Sequence, residues 1–235
     1  KGGTIGFGGN YSSGGSLAGW ASIAGLKENS TDSNYAGYLQ FATRPAGGVN
    51  TEVMRITSAG LVGIGTTTPR TIFDIASASS PTLSISNTTN GTWAIGDILG
   101  ALDFYSSDVN DNFPGVASKI SSVIETDTGG SNVGLALSTA SIGTLSEKLR
   151  ISSAGYVGIG TTTPISRLQV TEVGTSTITL HRSDTSVTAG QGIGSIDFAS
   201  NDSQLTGGFS TGAYMRAYAA SALTTSYPTL NLAWG

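Results

Sequence analysis

Residues 54–69 read MRITSAGLVGIGTTTP, and residues 149–164, 95 positions later, read LRISSAGYVGIGTTTP. Self-similarity this close indicates that the chain is a series of like units, so both fold and function follow from the unit. A single active site needs no second copy of such a stretch, whereas a fibre is built from many. We call each copy, together with the short apolar segment that follows it, a cassette.

The cassette pattern predicts a strand, a turn, a second strand, a break and a third strand. The segment Ser58-Ala59-Gly60 is typical of a turn in which glycine adopts positive φ. Pro69 ends the second strand because proline has no N–H to donate. Apolar residues alternate with polar residues or glycine, as in half-buried strands. In the first copy they are Met54, Ile56, Val62, Ile64, Phe73 and Ile75; in the second, Leu149, Ile151, Val157, Ile159, Leu168 and Val170.

The repetition extends beyond the cassettes. The segments 100–106 (GALDFYS) and 194–200 (GSIDFAS) are similar, and residues 4–7 are a looser form. Residues 21–23 match 118–120, and residues 39–41 match both 135–137 and 230–232. We therefore predict three repeat units, at residues 1–76, 77–171 and 172–235. The first is expected to be cut short at its N-terminal end and the third at its C-terminal end.

Composition favours a β-rich protein. Of the 235 residues 34 are Gly and only 11% are charged, against roughly 25% in an average domain. Intrinsic disorder is the alternative, but the net charge is only −4 and Val, Ile and Thr are common. An acidic pI near 4.8 argues against nucleic acid as a partner, and no apolar run approaches a membrane-spanning length. Cysteine is absent, which excludes disulfides and thiolate metal sites.

One unit holds too little apolar bulk to fold alone, because each cassette offers about six buried-type side chains on very short strands. Stacking as a solenoid is one remedy, but solenoids usually repeat every ~20–50 residues. We therefore expect an all-β, Gly-rich fibrous shaft assembled as an intertwined parallel homotrimer, similar to a β-prism or triple β-helix. Three copies of the segment Val62-Gly63-Ile64-Gly65 are expected to meet at its axis, where glycine permits close approach.

The cassette resembles the "ERMRI…GNVGIGTTSP…L-V" repeat of bacteriophage tail fibres. Residues 52–69 and 147–170 carry the match, and the long GIGTTTP string is its specific part. The resemblance covers about half of the chain and implies a trimeric β-rich shaft, often upstream of an endosialidase-type intramolecular chaperone. Ala59-Gly60 departs from the family's common Ser-Gly-Asn turn. No chaperone domain is recognisable in the sequence, so self-cleavage is not assigned.

Candidate chemical sites are weak, and we predict no catalytic, cofactor-binding or metal-binding residues. The glycine patterns at 63–65 and 190–194 lack the Gly-Lys-Ser/Thr ending of a phosphate loop. His181 is the only histidine and is not duplicated, so a triad with a serine and Asp184 is disfavoured. The recurring Asp103 and Asp197 favour turn or interchain acceptors over a glycosidase pair.

Two further possibilities concern loops. The segment Asp108-Val109-Asn110-Asp111-Asn112 offers oxygen ligands for calcium, but it lacks the glycine and the terminal glutamate of an EF-hand loop. Aromatic residues in the variable loops suit either interchain packing, which we favour, or stacking on sugars. They are Tyr11, Trp20, Tyr35, Tyr38, Phe113, Tyr214, Tyr218 and Tyr227.

The polar residues that the repeat duplicates are structural in type. Glu52/Arg55 and Glu147/Arg150 are expected to pair between neighbouring chains, and the threonine runs 66–68 and 161–163 to satisfy backbone groups. The sequence thus predicts a non-enzymatic structural segment of a virion tail fibre, outside the cell, that presents a distal receptor-binding tip. The expected partners are its own copies, other tail or baseplate proteins and host surface glycan. The alternatives are a tailspike-like glycan depolymerase and a bacterial surface adhesin built from the same repeats.

Overall fold

The computed structural model describes residues 2–108, 114–126, 132–183, 188–200, 210–219 and 230–234. For residues 199–200, 210–214, 216–219 and 230–234 it describes the backbone alone. Within these ranges the chain is all-β: fifteen strands form three open sheets, and no helix is present. The predicted fold class is therefore confirmed at the level of all-β. Two compact units, residues 1–88 and 89–235, are taken in turn.

The first unit is a six-stranded sheet in which every strand pairs with its neighbours in the chain. Its order is β1-β2-β3-β4-β5-β6, and all pairs are antiparallel except β5–β6, which is parallel. The strands are β1 (Gly3–Asn10), β2 (Leu17–Lys27), β3 (Gly37–Thr43), β4 (Thr51–Ile56), β5 (Val62–Ile64) and β6 (Phe73–Ile75).

The second unit repeats this sheet and adds a smaller one. Its first sheet is β7 (Ile98–Ser106), β8 (Gly115–Thr126), β9 (Asn132–Ser141), β10 (Thr144–Ile151), β11 (Val157–Ile159) and β12 (Leu168–Val170). The third sheet of the chain is β13 (Gly192–Ser200), β14 (Ser210–Ala219) and β15 (Leu230–Trp234). Repeat boundaries at 76 and 171 stay a prediction, and so does the intertwined trimer.

Both cassettes fold as predicted. In the first, β4 turns through residues 57–61 into β5, where the Thr57 amide donates to the Leu61 carbonyl at 2.9 Å. Gly60 adopts φ +78° and its counterpart Gly155 φ +76°, the left-handed conformation that favours glycine. A break at Pro69 then leads to β6, and the second cassette forms β10, β11 and β12 with the same pairing. Alternation of apolar residues was therefore a sufficient signal for these strands.

The role expected for the cassette glycines is corrected. A Cβ on Gly63 would lie 2.7 Å from the Thr66 carbonyl oxygen and 3.4 Å from Pro69 Cβ, so that face is covered by the loop of the same chain. Gly158 is enclosed in the same way, 2.6 Å from the Thr161 oxygen. Close approach within one chain therefore accounts for these glycines, in place of close approach between chains at an axis.

One match between repeats is wrong by two residues. In the second sheet Leu135 pairs with Ser122, which pairs with Gly100. In the third sheet Leu232 pairs with Ala217, which pairs with Gly194. Gly100 and Gly194 are equivalent in sequence, so Leu232 corresponds to Leu135. The sequence comparison had instead placed Leu230 there.

Candidate functional site

An apolar face crosses the whole first sheet. Residues that are paired directly on neighbouring strands share a face, and one such row runs Ile5, Ile23, Phe41, Met54, Ile64 and Ile75. A second row on the same face runs Leu39, Ile56, Val62 and Phe73. The sheet therefore presents apolar side chains on every one of its six strands.

The second sheet repeats this face almost residue for residue. Its rows are Leu102, Ile120, Leu137, Leu149, Ile159 and Val170, followed by Leu135, Ile151, Val157 and Leu168. Phe7 and Phe104 continue the face along the first strand of their sheets. The six apolar cassette positions inferred from sequence all lie on this face, which we call the apolar face.

The apolar face is not covered within the chain. Ile5 is 64% exposed, Phe73 52%, Phe104 51% and Leu168 58%. Among the described residues the buried apolar side chains are mostly alanines, and Ile124 is the only large one buried completely. A soluble protein rarely leaves so large an apolar surface in water unless something binds there. The apolar face is therefore the leading candidate for a functional surface.

The opposite face of the first sheet holds an ion pair. Arg55 Nε donates to Glu52 Oε1 at 2.6 Å and its Nη2 donates to Glu52 Oε2 at 2.8 Å, a two-pronged contact within one chain. Gln40 Nε2 donates to the same carboxylate at 2.7 Å, and the Tyr38 ring lies 3.9 Å beneath the guanidinium. The hydrogen bond from Arg55 lowers the pKa of Glu52 below 4.5 against its desolvation, and Gln40 adds to the effect. The expected pairing between neighbouring chains is thus wrong, because both partners belong to the same chain.

The second sheet repeats the pair with a different third partner. Arg150 Nε donates to Glu147 Oε1 at 2.7 Å and Nη2 to Oε2 at 2.5 Å, while Nη1 lies 3.5 Å from Glu125 Oε1. The position of Tyr38 is taken by Gly134, where a Cβ would come within 2.9 Å of Glu125 Cδ. The hydrogen bond to Glu147 raises the pKa of Arg150, with a smaller contribution from Glu125.

Glu125 and its counterpart Glu28 escaped the sequence analysis. Both carboxylates hold the turn of a cassette that lies far along the chain: Glu28 accepts from the Ser58 amide at 2.8 Å, and Glu125 accepts from the Ser153 amide at 2.8 Å. The Ser58 hydroxyl also donates to Glu28, and this bond, together with that from the Ser58 amide, lowers the pKa of Glu28. The sequence does indicate that they are equivalent, because Glu28 and Glu125 are separated by the same number of residues as Phe7 and Phe104.

The threonine runs act as expected. Thr66 Oγ1 accepts from the Thr68 amide at 3.2 Å, and Thr161 Oγ1 accepts from the Thr163 amide at 3.3 Å. Each run thereby fixes the loop that covers Gly63 or Gly158. The prediction that threonine hydroxyls satisfy backbone groups at the change of direction is confirmed.

The described residues considered for chemistry lie on different elements. Asp103 lies on β7 with its carboxylate 3.6 Å from Lys119 Nζ, Asp197 lies on β13, and His181 lies in the segment after β12. Across the described ranges no three His, Asp or Glu side chains form a group that could hold a metal ion. Of the candidate calcium loop Asp108 is described, while Val109–Asn112 and Asp184 lie outside the described residues.

The glycines at 190–194 have a structural setting. Gly190 adopts φ +83° in the turn before β13, and a Cβ on Gly194 would lie 2.9 Å from Leu180 Cβ. No helix follows them in the part of the chain that the structure describes, so no helix N-terminus lies beside them. A left-handed backbone conformation therefore explains Gly190, and close packing explains Gly194.

The aromatic residues are divided between packing and exposure. Tyr38 packs on Arg55. The Trp20 ring packs against Gly9, where an added Cβ would lie 2.7 Å from the ring. Tyr35 is 95% exposed, and Tyr11 lines a cavity of about 470 Å³ with Trp20 and Arg44. The side chains of Tyr214 and Tyr218, and all of Phe113 and Tyr227, lie outside the described residues. Stacking on sugars stays a prediction.

A further cavity of about 540 Å³ lies in the second unit. It is lined by Arg150, Glu125, Tyr156 and the apolar residues Ile95 and Pro164. The guanidinium and carboxylates are already paired with each other there.

Nothing in the described residues resembles a long apolar helix of the kind that crosses a bilayer.

Comparisons with known proteins give limited information. No protein-family model and no curated protein matches the sequence. Among solved structures, the chain is similar to the carboxy-terminal domain of the bacteriophage T5 L-shaped tail fibre with its intramolecular chaperone domain, at 11% identity and a TM-score of 0.29. That match covers 78% of this chain and 61% of the other.

A second structure of the carboxy-terminal domain of the same fibre matches at 10% identity and a TM-score of 0.28, covering 78% of this chain and 86% of that one. Phage tail-fibre domains are thus among its structural neighbours. Both TM-scores lie below 0.5, so the likeness carries no argument about function.

Proposed function

We propose that this chain is a structural segment of a trimeric phage tail fibre, in which the apolar faces of three copies pack against one another. The fibre would span distance outside the host cell and present a distal receptor-binding tip. The observation that carries the proposal is the apolar face, which recurs in both six-stranded sheets and is half exposed in a single chain. The cassette's resemblance to tail-fibre repeats supports the phage assignment.

The energetics favour association over a stable monomer. Burial of apolar surface contributes roughly 25 cal/mol per Å² removed from water, and the single chain leaves that contribution largely unrealised on the apolar face. Part of the opposite face is already covered by its ion pair and by the threonine loop. The apolar face is therefore the surface that we assign to partner copies.

Oligomeric state is the direct test. Sedimentation velocity and light scattering of the soluble chain are expected to give three times the 23.7 kDa chain mass. A monomer mass across the accessible concentration range would overturn the proposal. A dimer or tetramer would retain the apolar face as an interface but reject the trimer.

The face itself is tested by charge. In the double variant Ile64→Asp with Ile159→Asp, each assembled trimer would bury six unpaired carboxylates, which is costly enough to prevent association. The control is Ile72→Asp, because Ile72 lies in the loop before β6 and is 78% exposed. We expect the double variant to lose the trimer and the control to keep it; a trimer that persists in the double variant would reject this face.

We also propose that the segment is not an enzyme. The repeat duplicates structural groups, and Asp103 is paired with Lys119. A tailspike-like depolymerase would release reducing ends from capsule or lipopolysaccharide, so release that is lost in Asp103→Asn or Asp197→Asn would overturn the structural proposal. Binding to host glycan, if measured, is expected in the variable loops, and other tail or baseplate proteins are the expected partners at the fibre ends. A bacterial surface adhesin is distinguished by the neighbouring genes.

A further inference from the structure

Each cassette is followed by a segment with the pattern of a β-strand. Residues 82–86 are Thr-Leu-Ser-Ile-Ser, and residues 177–181 are Thr-Ile-Thr-Leu-His, again 95 positions later. Alternation of apolar and polar residues over such a length is typical of a half-buried strand. We call these two segments the linker strands. They were not part of any predicted strand pair.

Within the described residues the linker strands have no strand partner in their own chain. Neither segment belongs to any of the strands, and within the described residues none of the backbone groups of 82–86 or 177–180 makes a backbone hydrogen bond. Three of their apolar side chains are mostly uncovered, since Leu83 is 64% exposed, Ile85 55% and Ile178 66%. Leu180 lies against Gly194 of the same chain and is 48% exposed. The two sequence-equivalent segments therefore share the same pattern, and neither has a backbone partner among the residues that the structure describes.

Natural proteins protect unpaired strands with charge or with proline on the exposed edge. Here Pro81 lies directly before the first linker strand, but residues 82–96 contain no charged side chain and no further proline, and residues 175–180 contain neither. A segment that alternates, lacks charge and shows its apolar side to water would aggregate if nothing covered it. Its chemistry suits a partner that is equally uncharged and supplies backbone N–H and C=O groups.

We propose that the linker strands are completed by backbone hydrogen bonds from a second copy of this chain. In a parallel assembly of identical chains every linker strand meets its neighbours at the same level, and the absence of charge removes like-charge repulsion between the copies. The alternating side chains then place Leu83 and Ile85 on the covered side and Ser84 on the outer side. The proposal rests on the proposed trimer and adds strand pairing between chains to the packing of apolar faces.

Hydrogen exchange tests the backbone pairing. In the assembled full chain, the amides of 82–86 and 177–180 are expected to exchange roughly 100-fold or more slower than in the unassembled variant Ile64→Asp with Ile159→Asp, because protection reports the free energy of local opening. Fast exchange in a preparation of trimer mass would overturn the linker inference and leave the proposed function standing. Equal protection in the unassembled variant would assign the pairing to the chain's own residues and also overturn it. A monomeric wild-type chain would reject both proposals.

A pair of matched variants tests the side-chain assignment. Leu83→Asp places its carboxylate on the side that the neighbouring copy covers, whereas Ser84→Asp adds the same charge on the other side of the same strand. We expect Leu83→Asp to lower the midpoint of thermal dissociation of the assembly and Ser84→Asp to leave it near that of the wild type. Because the linker strands contribute no backbone bond to the sheets, both variants should keep the strand content of the single chain. Equal effects of the two variants would overturn the assignment.

Discussion

The arginine of the first cassette lies on a tyrosine ring, whereas the arginine of the second lies beside another carboxylate. Arg55 has the Tyr38 ring 3.9 Å from its guanidinium, and Arg150 has Glu125 Oε1 at 3.5 Å. In both sheets the contact with the glutamate three residues earlier is the same. The difference arises outside the cassette, because Gly134 in β9 stands where β3 has a tyrosine.

This contrast separates what the cassette requires from what it tolerates. The glutamate–arginine contact and the enclosed glycine recur in both copies, so they belong to the cassette. The third group around the guanidinium is supplied by another strand and can be aromatic or acidic. Where the tyrosine is present Glu28 is hydrogen-bonded to the turn at Ser58. Where glycine replaces the tyrosine, Glu125 forms a salt bridge with the arginine.

The largest expected effect distinguishes the two arginines directly. Arg150→Leu leaves Glu147 and Glu125 without their cation in a site where the arginine side chain is only 9% exposed. Removal of one partner from a buried pair costs about 3–5 kcal/mol. Arg55→Leu should cost less, because Glu52 keeps the hydrogen bond from Gln40 and faces no second carboxylate at that distance. Chemical denaturation of both variants measures the difference, and equal losses would contradict it.

The next effect should be the same in both sheets. Gly65→Ala and Gly160→Ala each force a side chain into positive φ and into the carbonyl oxygen of Ala76 or Thr171. We expect a loss of about 3 kcal/mol in each, since positive φ and overpacking each cost roughly 1–3 kcal/mol.

Gly60→Ala is the matched control for this pair, because its φ is +78° but nothing lies within 4 Å of the added Cβ. It should show the conformational cost alone, so its midpoint of unfolding should lie between those of the wild type and Gly65→Ala. A loss in Gly60→Ala as large as in Gly65→Ala would reject the close contact with Ala76.

A smaller effect isolates the tyrosine. Tyr38→Leu keeps apolar bulk under Arg55 and removes the ring, so the first sheet should lose about 1 kcal/mol of cation–π attraction. A double-mutant cycle with Arg55→Leu measures the coupling free energy of this pair. A coupling close to zero would show that the ring only fills space.

The smallest effect is one of pH. The hydrogen bond from Arg55 holds the pKa of Glu52 below its ordinary value of 4.5, so this pair stabilises the fold fully at pH values above 4.5. This stabilisation is lost as the pH falls through the lower pKa of the folded chain. An NMR titration of the Glu52 carboxyl should find a midpoint below 4.5, and Arg55→Leu should raise it. A midpoint at or above 4.5 in the wild type would contradict the assigned contact.

The sequence alone was sufficient for local structure and insufficient for contacts between distant strands. Alternation around Val62 and Ile64 predicted the strands, because side-chain direction in a strand depends only on neighbouring residues. It did not distinguish a glycine enclosed by its own loop, as Gly63 is, from one facing a partner. Sequence alternation also missed Glu28, because its contact with Ser58 passes the end of β3 and leaves no local pattern in the sequence. The apolar face became evident only when strand register aligned its rows.

Each six-stranded sheet described here is a meander, in which every hydrogen-bonded pair joins strands that follow one another in the chain. Such local pairing keeps contact order low, and low contact order favours fast folding. Strand pairing in such a sheet needs no residue of another repeat, so it can begin as soon as its own residues leave the ribosome. In the proposed trimer, assembly of three chains would then be the slow step, and its yield would rise with the concentration of nascent chains held near one another, as they are on a single polysome.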